Sequence, residues 1–315
     1  MKKILLCGAD GNFGRKSAEI LLEKYPHEAL IFTAPLAEKL TQYAAEGVDI
    51  RTADFNDADS LAAAFAGADV MILISMPFVG QKRRDAHKNA LDAAVKAGVQ
   101  KLIYTSIVGA GCPEIDAYEV NDHVWFEKLL MSQPLHYLIL RDSQYAEAMI
   151  TNYFFAHENG SDLIANNMCA GHMAFVSRND CAKAAAFAAM SDWEDRVINV
   201  NGAQLLTMSE FVAIGNEVTG YSVRYEGISD EENYKVFDAM GVPRTTEGVW
   251  EGDAAKFPFC SDGMVTFGRA IRLEQMSVFT DDLKVLTGDD PISVKEMFEN
   301  AAAYQVGDRN SVDTY

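Results

Sequence analysis

Three glycines stand at positions 8, 11 and 14, spaced G-x-x-G-x-x-G, directly after the apolar run Ile4-Leu5-Leu6-Cys7. Glycines at this spacing permit a tight turn, let the backbone approach a pyrophosphate, and let the following helix pack closely on the strand. A helix that starts there offers free N–H groups and a positive dipole end to phosphate oxygens. Gly8, Asp10, Gly11, Asn12, Phe13 and Gly14 are therefore expected to cradle a dinucleotide. The end of the second strand usually decides the cofactor, with an acidic residue for NAD and an arginine for NADP. Here it reads Thr33-Ala34-Pro35-Leu36, which carries neither signal. Thr33 and Lys39 are placed among the cofactor contacts. Lys39 and Arg15 are the nearest basic side chains to a 2′-phosphate, although each also reads as a solvated helix charge. NADP is the expected cofactor, with NAD possible.

Candidate chemistry beyond the cradle is sparse. A Tyr-x-x-x-Lys pair, in which lysine lowers the phenol pKa, serves many dehydrogenases. None of the 12 tyrosines has a lysine four residues on. Tyr118 stands near the expected place, but Asp122 occupies the lysine position, and an anion there raises a neighbouring phenol's pKa. His123 and Glu127 lie one helical turn apart. They read either as a polar pair at the substrate mouth, with His123 as proton donor, or as a surface (i, i+4) pair. Tyr145 follows the last strand of the first half, at the carboxyl edge where open α/β sheets bind ligands. It is a nicotinamide or substrate contact or a core aromatic. Ser106 either bonds a ligand or caps backbone at a strand end. Ser177 or Asn179 reads as a helix N-cap, with Asp180 favourable in the first turn.

The elements that must position these residues follow from periodicity. Apolar runs at Lys3–Cys7, Ala29–Thr33, Val48–Ala53, Asp69–Ser75, Lys101–Ser106 and Tyr137–Arg141 read as strands. Helical patterns at Phe13–Glu23, Ser60–Phe65 and Ala86–Ala97 alternate with them. The alternation predicts an α/β fold with a Rossmann-type doubly wound parallel sheet. Continuous rather than alternating apolar strands fit a sheet buried on both faces. Residues 1–145 read as the dinucleotide-binding core, and 146–315 as sheet-completing elements with a smaller C-terminal substrate lobe. Gly241–Gly268, which contains Trp250, Phe257 and Phe259, reads as a lid or a long surface loop.

Bulk properties exclude several classes. A formal charge of −19, from 27 basic and 46 acidic side chains, repels nucleic acid and anionic lipid. The longest apolar run, near Val70–Phe78, is far short of the ~20 residues of a membrane span. Five scattered cysteines without a Cys-x-x-Cys argue against a disulfide framework or a zinc site and for a reducing cytoplasm. No metal is expected, and the oligomeric state stays open.

Several short segments, weak alone, become specific in order and spacing. They are Gly8–Gly14; Ala53-Asp54-Phe55-Asn56-Asp57 with Ser60-Leu61; Phe65-Ala66-Gly67-Ala68-Asp69; Ile74-Ser75-Met76-Pro77; Ala97–Ser106; His123-x-x-x-Glu127-Lys128; Leu140-Arg141 with Tyr145; and Ser177-Arg178-Asn179-Asp180. Together they resemble the atypical short-chain dehydrogenases/reductases of the NmrA-like group, in the branch of the triphenylmethane and type 2 quinone reductases, over about residues 3–298. The resemblance implies that Gly8–Gly14 holds the pyrophosphate and that Asp54 and Phe55 flank the adenine. Ser75, Met76 and Pro77 would line the ribose side. Thr105, Ser106 and the stretch Asp142–Tyr145, including Ser143, would face the nicotinamide. Two departures stand out: Ala34-Pro35 replaces the family's usual arginine, and extra residues lie between about Thr245 and Gly268. The implied activity is hydride transfer from NAD(P)H to a conjugated or aromatic-type molecule such as a quinone, enone, dye or aromatic ether. The alternative is a non-catalytic NAD(P)-sensing regulator, a type the same group contains.

Overall fold

The computed structural model describes residues 1–77, 79–245 and 259–306. Seven strands form one sheet: β1 (Ile4–Cys7), β2 (Leu30–Ala34), β3 (Asp49–Thr52), β4 (Val70–Leu73), β5 (Lys101–Ile107), β6 (His136–Asp142) and β9 (Arg196–Val200). Their order is β3-β2-β1-β4-β5-β6-β9, with every pairing parallel. The strand order reverses between β1 and β4, and ligands of open α/β sheets bind at the carboxyl end of that switch point.

The central strands β1, β2, β4 and β5 bury both faces, which explains their lack of polar alternation, whereas the edge strand β3 is exposed or half-buried along its length. Ile4 and Leu6 point into one core while Leu5 and Cys7 point into the other. The first core is covered by α1 (Asn12–Lys24), α7 (Arg178–Met190) and α11 (Asp282–Thr287). The second is covered by α3 (Ala58–Ala64), α4 (Gln81–Ala97) and α5 (Tyr118–Met131). Alanines dominate the buried side of α7, so the helix can lie close to the strands and to α1, where Ser17 Oγ donates to the Ala182 carbonyl at 3.2 Å. At the amino edge of β5 the buried Lys101 ammonium caps the end of α7, donating to the carbonyls of Ala188 (3.0 Å) and Ser191 (2.6 Å).

A third core holds the later elements together. It gathers α6 (Ala146–Glu158), α8 (Met208–Thr219), α10 (Ser261–Arg272) and α12 (Val294–Glu299). Two small sheets join them, β7 (Leu163–Asn166) with β11 (Arg224–Gly227), and β8 (His172–Met173) with β10 (Leu206–Thr207). Short α2 (Thr41–Ala44) follows β2, and α9 (Asp230–Ala239) packs on α10.

Strand ends differ from the sequence reading by a residue or more, for physical reasons. β4 stops at Leu73 because the Ser75 N–H leaves the ladder and donates to Thr105 Oγ1 at 2.8 Å. The stretch read as a lid or loop is partly helical, since α10 starts at Ser261. Residues 246–258, including Trp250 and Phe257, lie outside the described residues. Among the described residues no helix is long and apolar enough to cross a membrane.

Candidate functional site

The glycine turn has the expected form. Gly8 adopts φ +68°, a left-handed conformation that glycine takes without strain. A Cβ on Gly14 would run into the Gly8 carbonyl oxygen and stand 2.8 Å from the Gly8 carbonyl carbon and 2.9 Å from Ala9 Cα. Glycine is thus required there for α1 to pack on the turn. Gly11 is different: a Cβ there would meet only the Gly8 carbonyl oxygen, at 3.6 Å, so space lies in front of it. Gly11 is also the N-cap of α1, with no side-chain cap and no acidic residue in the first turn. The first N–H groups of α1 therefore face outward without an internal acceptor, which suits a phosphate. Two cavities of about 190 and 230 Å³ lie elsewhere, between α3 and α4 and beside the end of β9. Neither is lined by the glycine turn. A Cβ on Gly8 would meet nothing within 4 Å, so the cradle is open in front.

On the adenosine side, Thr33 is buried and its hydroxyl donates to the Leu6 carbonyl at 3.4 Å, inside the sheet. Its hydroxyl proton is thus directed into the sheet rather than toward the open side of the glycine turn. Lys39 sits half-exposed in the turn Ala37–Leu40, and Arg15 is exposed on α1. Asp54 accepts from the Asn56 N–H at 2.9 Å and from Asn56 Nδ2 at 2.8 Å through one carboxylate oxygen. It thereby fixes the loop after β3 and presents Phe55, whose carbonyl takes Asn89 Nδ2 at 2.9 Å.

The ends of β4, β5 and β6 are knit by side chains. Thr105 Oγ1 accepts the Ser75 N–H and donates to Ser75 Oγ at 3.2 Å. The Met76 N–H donates to His87 Nε2 at 3.0 Å. Ser106 Oγ donates to Glu127 Oε1 at 2.6 Å. Its proton is committed, so it can offer a ligand only lone pairs. Arg141 grips Glu127 at both carboxylate oxygens, with contacts of 3.0 and 2.6 Å. Ser143 Oγ accepts Asn201 Nδ2 at 2.8 Å, and Asn201 in turn accepts the Thr280 N–H at 2.9 Å.

The catalytic candidates are brought to this edge but differ from the sequence reading. His123 and Glu127 are not a surface pair: both are about 4% exposed, and each binds another residue. His123 Nδ1 meets the Tyr104 hydroxyl at 2.8 Å, and burial drives its imidazole well below the ordinary histidine range. At neutral pH it is an uncharged imidazole rather than an imidazolium acid. The Tyr118 N–H donates to Thr266 Oγ1 at 2.9 Å, tying the start of α5 to α10. Asp122, four residues on, is held by the Gly80 N–H and by Arg84 Nε, both at 2.6 Å.

Tyr145 caps α6 and donates its hydroxyl to Asp142 Oδ2 at 3.2 Å, with the Arg178 guanidinium 5.4 Å from its ring centre. Burial and the Asp142 charge push its phenol up. Burial likewise pushes the Asp142 carboxyl up to about 8, and its Oδ1 has no partner. Ser177, not Asn179, caps α7 by accepting the Asp180 N–H at 3.0 Å. Sequence reasoning missed Asn201 and the pairing of Glu127 with Ser106 and Arg141. No spacing signal marks contacts that join separate strands.

The NAD(P)H-binding family model matches residues 8–191. Quinone oxidoreductase 2 of Escherichia coli is 29% identical over 241 residues, 76% of this chain and 82% of that protein. An NmrA-like family domain-containing oxidoreductase of Aspergillus flavus is 24% identical over 275 residues, 84% of this chain and 89% of that protein. The crystal structure of triphenylmethane reductase from Citrobacter sp., complexed with NADP(H), superposes with a TM-score of 0.81 at 28% identity, covering 95% of this chain and 99% of that one. The glycine turn, the switch point and the sequence likeness agree: this chain belongs to the NAD(P)H-binding family, among the NmrA-like atypical short-chain dehydrogenases/reductases.

Proposed function

We propose that this chain is an NADPH-dependent reductase of conjugated small molecules, with quinones as the first class and enones, dyes and aromatic ethers behind them. The observation that carries it is the uncapped start of α1 behind Gly11, in a chain of the NAD(P)H-binding family. The relatives are named as quinone and triphenylmethane reductases, which supports the acceptor class.

A bound reduced nicotinamide supplies hydride to the acceptor. The chain's residues bind and orient. The α1 N–H groups and Gly8–Gly14 hold the pyrophosphate, and Asp54 and Phe55 border the adenine. Ser75, Met76 and Pro77 line the ribose side, with Thr105, Ser106 and Ser143 on the nicotinamide side. Ser106, with its proton on Glu127, accepts from an amide N–H and does not donate to a carbonyl. Residues 146–315 supply the substrate side. NADPH is preferred modestly, since Lys39 offers only a point charge and the one nearby guanidinium, Arg15, is on α1 rather than at the end of β2. A conjugated acceptor can take hydride while solvent supplies the proton, which fits a site lacking Tyr-x-x-x-Lys. Five free cysteines suit a reducing cytoplasm.

The test is NADPH oxidation against a panel of quinones, enones, cationic dyes and aromatic ethers. Turnover with at least one quinone is expected. Tight NADPH binding with no turnover on any member overturns the reading in favour of a dinucleotide sensor.

A further inference from the structure

Helix α4 begins Gln81-Lys82-Arg83-Arg84 and has no acidic residue in its first turn. Cations at a helix N-terminus oppose the dipole. Arg84 is compensated, since its Nε lies 2.6 Å from Asp122 Oδ1. Arg83 is not. It is 6% exposed, its Nε is buried without a hydrogen-bond partner, and among the described residues it forms no ion pair. A buried guanidinium nitrogen without a hydrogen-bonded carboxylate is costly, and each unsatisfied buried donor calls for an explanation.

The surroundings say what the explanation is. The Arg83 charge acts on His87 of α4, Tyr104 of β5, and Glu119 and His123 of α5. Both histidines are kept neutral by burial, and burial also pushes the Glu119 carboxyl up. Asp122 is occupied by Arg84 and Gly80. Glu119 Oε1 would stand 3.2 Å from a Cβ on Gly263 of α10, and Tyr118 is bonded to Thr266 of the same helix. Arg83 therefore lies among α4, β5 and α5, near the start of α5 that packs on α10, on the substrate side of the reading above.

We propose that Arg83 anchors the acceptor by the oxygen that gains negative charge, and thereby selects quinones over cationic dyes. The inference rests on the reductase reading. Hydride leaves the reduced nicotinamide with both electrons and forms a new bond at the quinone. The displaced π pair moves to a carbonyl oxygen, the nicotinamide is oxidised, and a proton from water completes the hydroquinone. A preorganised guanidinium stabilises that oxyanion as it develops. The same fixed charge repels a cationic acceptor in a site of low dielectric.

The experiment compares kcat/KM for a naphthoquinone and a cationic triphenylmethane dye in the wild type, Arg83→Met and Arg83→Lys. Melting curves and NADPH affinity are measured alongside. Arg83→Met should lose about 30-fold or more in quinone efficiency, toward the ~10²–10³ cost of one oxyanion donor. The dye-to-quinone ratio should rise, with NADPH affinity unchanged within about threefold and Arg83→Lys intermediate. In the wild type, a hydroxynaphthoquinone that is anionic at neutral pH should compete with the quinone, and a cationic aromatic should not. This arm needs no variant to fold. An unchanged ratio in folded Arg83→Met, or equal competition by the cation, overturns the anchor while leaving the reductase reading intact. A wild type that oxidises NADPH with neither acceptor overturns the reductase reading itself.

Discussion

The glycine turn separates binding from folding at two positions three residues apart. In Gly14→Ala the new Cβ would meet the Gly8 carbonyl carbon at 2.8 Å and Ala9 Cα at 2.9 Å, well inside the 3.5–4.0 Å of ordinary carbon contacts. Both are backbone atoms, so no side chain can swing aside and α1 must move off the turn. Overpacking of this kind costs about 1–3 kcal/mol, partly offset by the roughly 1 kcal/mol helix preference of alanine over glycine. Contacts this short with backbone atoms put the cost at the upper end, so a net loss of about 2 kcal/mol lowers the melting temperature by roughly 4–8 °C in a chain of this size. In Gly11→Ala the Cβ meets only one oxygen at 3.6 Å, so the fold should lose less than about 1 kcal/mol. The methyl would nonetheless stand in front of the phosphate cradle. NADPH binding, followed by the fluorescence of the reduced cofactor, should weaken at least tenfold, about 1.4 kcal/mol. The expected pattern is therefore loss of binding alone for Gly11→Ala and loss of both for Gly14→Ala. Unchanged NADPH affinity in Gly11→Ala refutes the cradle, and a wild-type melting curve for Gly14→Ala refutes the packing argument.

The Asp142 carboxyl, pushed up to about 8 by burial, carries a proton that the unfolded chain loses near its ordinary value of about 4. Stability should fall as pH rises through that window and level off above it, whereas Asp142→Asn should show a flatter profile. Melting temperatures between about pH 6 and 9 check this, and parallel curves would mean that Asp142 is ionised in the native state. Arg141→Met strands the Glu127 carboxylate in the interior and should cost about 3 kcal/mol in denaturant unfolding. A cost below about 1 kcal/mol would show that the pair contributes no more than a surface ion pair. Tyr118→Phe, His123→Ala and Tyr145→Phe should each lower kcat by less than about a hundredfold, at the low end of general acid catalysis. A loss above about a thousandfold with cofactor affinity intact would identify a proton donor and move the substrates toward simple ketones or ethers.

The fold was legible where local rules act alone. The apolar strands announced a sheet covered on both faces, and the glycine spacing announced the turn at the start of α1. Ser177 was legible as one of two caps. The site was less so, because its contacts join separate elements. His123 and Glu127 share the buried side of α5, yet their partners Tyr104, Ser106 and Arg141 come from β5 and β6. Nothing in a helical spacing distinguishes such a face from a solvated one. Thr33 reads as a strand-tip hydroxyl, but the register of β1 against β2 turns it inward to Leu6. Arg83 sits in the run Lys82-Arg83-Arg84-Asp85, which looks like an exposed charged face. One signal was present: basic residues crowd a helix start where the dipole favours acids, and broken local rules cluster at functional sites.

The central claim is that the Gly8–Gly14 cradle presents reduced nicotinamide to a conjugated acceptor. Its most direct test mixes the NADPH-loaded protein with a naphthoquinone in a single anaerobic turnover and follows the loss of reduced-nicotinamide absorbance. Stoichiometric oxidation of the bound cofactor is expected, faster than in free solution and abolished in Gly11→Val. Bound NADPH that stays reduced while the quinone goes unconsumed would contradict it.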